Sequence, residues 1–91
     1  MRERKFGYQI EVDIHGMRCE EAKKQLELLI KRTGNDIHEI VVVHGYHNGD
    51  ALLNMVRNEF KNPRIKQKYV GLNNGQTTFV LKEIKKNGEM R

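Results

Sequence analysis

The sequence predicts a two-layer α/β sandwich, with two helices packed on one face of a mixed four-stranded sheet. Three observations carry that expectation. Tyr8 to His15 alternates apolar and polar residues, Ile40 to Val43 is a continuous β-branched run, and helical spacing fills the segments that follow each. The predicted order is β-α-β-α-β-β. The first three strands, joined through helices, run parallel with right-handed crossovers.

In the first strand Tyr8, Ile10, Val12 and Ile14 point one way, and Gln9, Glu11, Asp13 and His15 the other. One face is therefore buried and one wetter, and Gly16 breaks the strand. Arg18 to Arg32 reads as a helix, with Cys19, Ala22, Leu26, Leu29 and Ile30 on one stripe. Its acidic first turn and basic last turn suit the macrodipole. Gly34-Asn35 closes it, and the strand Ile37 to Val43 follows.

A glycine-punctuated loop, His44 to Gly49, leads into a second helix from about Asp50 to Lys61. Asn48 or Asp50 is its candidate cap, and Asn62-Pro63 stops it. Ile65 to Leu72 is a third strand interrupted by Lys66, Gln67 and Lys68. Asn73-Asn74-Gly75 turns the chain into a fourth strand, Gln76 to Ile84, antiparallel to the third. Two helices cover one face of such a sheet, so the other stays partly open. The chain divides into a flexible charged arm at 1–7, a folded domain at 8–84 and a charged tail at 85–91.

The 91 residues make one domain, and its 17 basic against 12 acidic side chains give a net charge of +5. That balance favours a polyanionic partner. The single Cys19 cannot form an internal bridge, which fits a reducing compartment, and it reads as core rather than nucleophile. No apolar run approaches the roughly 18 residues a membrane span needs. These features give a cytoplasmic expectation.

The chemistry gathers at the strand ends. A strand that breaks at a glycine-rich turn and feeds a helix leaves backbone N–H groups suited to a phosphate. Asp13 could orient the imidazole of His15 for proton transfer, although a polar strand end held by local hydrogen bonds has the same composition. His44 ends a buried strand, as a site residue or as a satisfied core histidine. Tyr46 and His47 could stack on a base or contact a phosphate. One Cys and no tight His/Cys spacing leave no zinc ligand set.

Val12-Asp13-Ile14-His15-Gly16-Met17 with Glu20-Glu21-Ala22 resembles the opening motif of the Smr (small MutS-related) domain family. Val42-Val43-His44-Gly45, with Gly49 and the Ala51-Leu52 helix start, resembles its second motif. Leu72 to Val80 is similar to its closing turn and strand. The resemblance implies a fold like the C-terminal domain of translation initiation factor three. It also implies nucleic-acid binding and, for several members, endonuclease activity that nicks DNA or cleaves RNA. By motif match Asp13 and His15 fall on the family's Asp-x-His pair, and His44 and Gly45 on its His-Gly pair. Three departures stand out: His47 occupies the second glycine position of His-Gly-x-Gly, an extra residue lies near Asp50, and Arg18 replaces the usual hydroxyl residue at the first helix start.

The expected site therefore has Asp13, His15 and His44 at the reaction centre, with Gly45, Tyr46, His47, Asn48 and Gly49 holding phosphate. Arg57, Arg64, Lys66 and Lys68 are the candidates for backbone contacts, whose loss should flatten the salt dependence of binding. DNA hydrolysis would call on a divalent metal such as Mg²⁺ or Mn²⁺, for which only Asp13, with Asp50 or Glu11, is placed. RNA carries its own 2′-hydroxyl nucleophile, so two imidazoles and a cation suit it better. The rival is a non-catalytic module for branched DNA, structured RNA or a ribosomal site. An adaptor using the open sheet face is a third class.

Overall fold

The computed structural model describes residues 1–45, 50–71 and 73–85. Five strands form one sheet: β1 (Arg2–Phe6), β2 (Gln9–Asp13), β3 (Glu39–Val43), β4 (Ile65–Tyr69) and β5 (Gln76–Leu81). Helix α1 (Cys19–Arg32) joins β2 to β3. Helix α2 (Ala51–Asn54) continues as a π-helical segment, Met55–Glu59, before β4.

The sheet order is β1-β2-β3-β5-β4. β2 and β3 are parallel, as the helical crossover requires, with Ile10 opposite Ile40 and Asp13 opposite Val43. β5 inserts between β3 and β4 and runs antiparallel to both. The third expected strand thus keeps its parallel direction but is not adjacent to β3.

One expectation is corrected. Residues 2–6 form an edge strand antiparallel to β2, where the sequence reads as a frayed arm. Gly7, at φ +58°, makes the tight return that an L side chain resists. With five exposed residues, β1 buries no hydrophobic face. Ion pairs tie its two sides instead. Arg4 reaches Glu11 at 3.9 Å on one side, while Glu3 pairs with Arg32 and Lys5 with Asp36 at 3.0 Å on the other.

The alternation of β2 holds from Ile10 onward, where Ile10, Val12 and Ile14 are buried and their neighbours are not, but Tyr8, expected on the same face, lies before the strand and is exposed. The three buried residues join Ile40, Val42, Phe79 and Leu81 beneath Ala22, Leu26, Leu29 and Ile30 of α1 and Met55, Val56 and Phe60 of the second crossover. Phe60 and Phe79 stack at 5.6 Å between centroids. Cys19 packs against this core, and His38 stacks on Tyr8 at 5.3 Å. The opposite face of the sheet carries Glu11, Asp13, Val43 and Thr78, and among the described residues no helix covers it.

Both helix starts lack a side-chain cap: Arg18 provides none, as its chemistry dictates, and Asp50 provides none either. The C-terminal ends are better served. Arg64 donates to the carbonyls of Ile30, Thr33 and Gly34 at the end of α1 and to that of Lys82 just beyond β5. Lys68 donates to Val56, Arg57 and Phe60 at 2.6–3.2 Å, closing the π-helical segment. Carbonyls of a last helical turn lack the full set of intrahelical donors, and a cation satisfies them well.

Lys68→Met should therefore lower the unfolding free energy by about 2 kcal/mol in urea titration, the scale of lost charge-assisted bonds. Lys66→Met, at an exposed position, should stay within about 0.5 kcal/mol of the parent.

Candidate nucleic-acid site at the strand ends

At the end of β2 the carboxylate of Asp13 accepts two bonds through one oxygen. The backbone N–H of His15 donates at 3.0 Å, and the ring Nδ1 of His15 donates to the same Oδ1. The first is an Asx-type turn, which ends the strand. The second fixes the imidazole as its Nδ1–H tautomer when neutral. Met17 N–H then closes onto the Ile14 carbonyl at 3.0 Å, and Gly16 takes φ +81°. The outcome is an oriented imidazole, 67% exposed, whose Nε2 is left as the acceptor.

Arg2, opposite Asp13 on β1, shares its face. Partial desolvation works to raise the Asp13 pKa. The two bonds from His15, with the charges of His15 and Arg2, outweigh it, and the carboxyl lies below its ordinary range.

His44 points elsewhere. It continues the inward set of Ile40 and Val42 and is only 3% exposed. Its Nδ1 meets the Gly45 carbonyl at 2.9 Å and its Nε2 meets the Thr77 hydroxyl at 2.8 Å. A carbonyl only accepts, so Nδ1 carries the proton. Thr77 Oγ1 also accepts from Arg57 Nε at 2.8 Å, which leaves its own hydrogen for Nε2. The neutral ring satisfies every group. Burial above all, and then the Arg57 charge, hold the His44 pKa down against the opposing Gly45 bond.

The arrangement therefore unites Asp13, His15 and Gly45 but sends His44 to the core side. Gly45 takes φ +73°, and a Cβ there would lie 3.6 Å from His15 Cβ, so the two stand side by side. The N–H groups of His44 and Gly45 both donate to the buried carbonyl of Gly75, at 2.9 and 3.0 Å, so of the residues expected to hold phosphate Gly45 turns its amide inward. Tyr46, His47, Asn48 and Gly49 lie outside the described residues.

The four candidate cations divide unequally. Arg57 binds Thr77 and the hairpin turn, donating to the carbonyls of Asn74 and Gln76 at 3.2 and 3.1 Å. Arg64 and Lys68 serve the carbonyls already described. All three are half-buried and spend their donors on oxygens of the fold. Lys66 is exposed, in a bulge of β4. Sequence reasoning missed Thr77 and Gly75, which it read only as strand and turn, and Arg2, assigned to a loose arm. The one available signal was that an antiparallel last strand must bring its first residues beside the end of its neighbour.

Among the described residues no group of three or more His, Cys, Asp or Glu could hold an ion. Nor, among them, is any helix long and apolar enough to cross a membrane.

An open-faced mixed sheet with a polar pair where parallel strands end defines an α+β domain with a strand-end site. The Smr domain model matches residues 12–77, which spans the first two motifs and reaches the start of β5, and the chain belongs to the Smr domain family. That is a family of nucleic-acid-binding, nuclease-like domains. The chain is similar in fold to the crystal structure of the Smr domain of Thermus thermophilus MutS2. The TM-score is 0.70 at 19% identity, covering 79% of this chain and 96% of that one. No curated protein matches the sequence. β1 lies before the family match.

The titration of His44 has a definite sign. The folded chain holds it below the unfolded value of about 6.5, so the unfolded chain takes up the proton first. Its contribution to stability is complete above that value and is lost as pH falls through the folded value. Asp13 adds a loss of the same sign below about pH 3.9. Urea unfolding followed from neutral pH to about pH 5 should show the parent losing stability more steeply than His44→Gln.

Proposed function

We propose that this domain binds nucleic acid and cleaves it as an endonuclease, with RNA as the better-suited substrate. The observation that carries the reading is the Asp13–His15 pair, an imidazole oriented by a carboxylate with its second nitrogen turned to solvent. In RNA cleavage Nε2 of His15 takes the proton of the 2′-hydroxyl as that oxygen attacks the adjacent phosphorus. The 5′-oxygen leaves and takes a proton from water, giving a 2′,3′-cyclic phosphate and a free 5′-hydroxyl. Asp13 stabilises the imidazolium. Arg2 and Arg18, both exposed and flanking the pair in register and in sequence, supply charge for the phosphorane. Hydrolysis of DNA by a Mg²⁺- or Mn²⁺-held water is less well served by the donor set, and no step above uses a metal.

A second reading, a binding module without catalysis for branched DNA, structured RNA or a ribosomal site, draws on the Gly75 carbonyl. It consumes two amides that would otherwise cradle phosphate. Matched RNA and DNA substrates, with and without chelator, separate the readings. His15→Ala and Asp13→Asn should each cut RNA about 10²–10⁴-fold more slowly while binding stays within about twofold. Salt-dependent binding with no cleavage by the parent would establish the second reading. Absence of salt-dependent binding would leave an adaptor acting through the open sheet face.

Arg2→Ala or Arg18→Ala should each lower the slope of log K against log salt by about 0.7–0.9. Arg64→Lys and Lys68→Met, compared where both remain folded, should leave that slope unchanged.

A further inference from the structure

Beneath the exposed pair runs a continuous polar chain that the cleavage step does not use. It starts on the π-helical segment, where Arg57 donates through Nε to Thr77. Thr77 is fully buried and donates to His44, which donates through Nδ1 to the Gly45 carbonyl. A parallel branch leaves the same guanidinium: Arg57 grips the carbonyls of Asn74 and Gln76, and Gly75 between them accepts the amides of His44 and Gly45. Both branches end on the one corner of backbone that stands against His15. The Phe60 N–H bonds Met55 across the wider π turn at 2.7 Å, a geometry that proteins keep mostly where function repays its poorer packing.

We propose that Arg57 and Thr77 are positioning residues that lock His44 as a neutral Nδ1–H imidazole, so that the His44–Gly45 corner holds His15 in place for cleavage. His44 on this view touches no substrate. Its ring is a strut, and its orientation depends on a hydroxyl more than thirty residues away. Each member of the chain is satisfied by one arrangement of hydrogens. Removal of the hydroxyl strands a buried nitrogen on one side and a guanidinium on the other. The proposal rests on the cleavage reading for its functional consequence, but its structural part can be examined without any turnover.

Three variants and two readouts decide it. Thr77→Val keeps the shape and removes the hydroxyl, Thr77→Ser keeps the hydroxyl, and Arg57→Met keeps Thr77 but cuts it from the guanidinium. Imidazole ¹⁵N–¹H spectra of the whole chain report the tautomer of His44 and the titration of His15. In the parent, His44 should show a protected Nδ1–H signal. Thr77→Val should lose it, shift the His15 titration and lower kcat at least tenfold with KM within about twofold. Thr77→Ser should restore all three to near the parent. Arg57→Met should displace the His44 and His15 signals in the same direction, and it decides the matter should Thr77→Val not fold. Retention of the parent tautomer and His15 titration in Thr77→Val, or in Arg57→Met in its place, would overturn the proposal. A parent with the predicted tautomer that cuts neither substrate would refute the cleavage reading while leaving the lock intact.

Discussion

The parallel register of β2 on β3 is the constraint from which the site follows. With Asp13 opposite Val43 and the Ile14 N–H on the Val43 carbonyl at 2.9 Å, the two strands end at the same level. Alternation then assigns every residue a side. A slip of one residue would turn Ile10, Val12 and Ile14 to water and bury Asp13. At about 1.5–3 kcal/mol for each exposed aliphatic, that error costs upwards of about 5 kcal/mol before the carboxylate is counted. The position of the acid–imidazole pair is thus held by the core beneath it rather than by contacts of its own.

The positive charge of the chain has two uses that composition cannot separate. Helix ends leave carbonyls without partners, and in a domain this small much of the burden falls on long cationic side chains. Arg64 and Lys68 meet it from β4 and its approach, each across a distance in sequence that no local pattern encodes. Burial lowers the pKa of both. A basic cluster at Arg57 to Lys68 therefore reads like a phosphate track and is in large part internal scaffolding. The cation that the register sets beside the exposed pair is Arg2, opposite Asp13 on β1.

The fold was legible where periodicity is strong. The alternation of β2, the buried run of β3 and the stripe of α1 each encode the face they bury. The insertion of β5 between β3 and β4 was not, because a hairpin turn states that two strands pair and says nothing of which lies inward. β1 escaped because Arg2 to Phe6 shows no apolar face at all. An edge strand needs none when ion pairs brace both its sides, and charge along an edge also discourages pairing with another chain. The inward turn of the His44 and Gly45 amides has a related cause: backbone amides at a strand end are free only if the neighbouring strand does not reach them, and Gly75 does.

The alternation that identified the strands also bears on the histidines. Asp13 and His15 lie two apart on the open face of β2, whereas Ile40, Val42 and His44 lie two apart on the covered face of β3. In a parallel pair with Asp13 opposite Val43, the residue beside His15 is Gly45, so two imidazoles at these positions cannot share a face. The His-Gly dipeptide then divides its work between its members. Histidine reaches inward, where a buried ring with two bonded nitrogens stiffens the corner. Glycine stands outward with φ +73°, a conformation costing other residues about 1–2 kcal/mol, and leaves the space beside His15 clear. A polar residue that ends a strand can thus take the covered side, while the neighbour with no side chain keeps the open side clear beside His15.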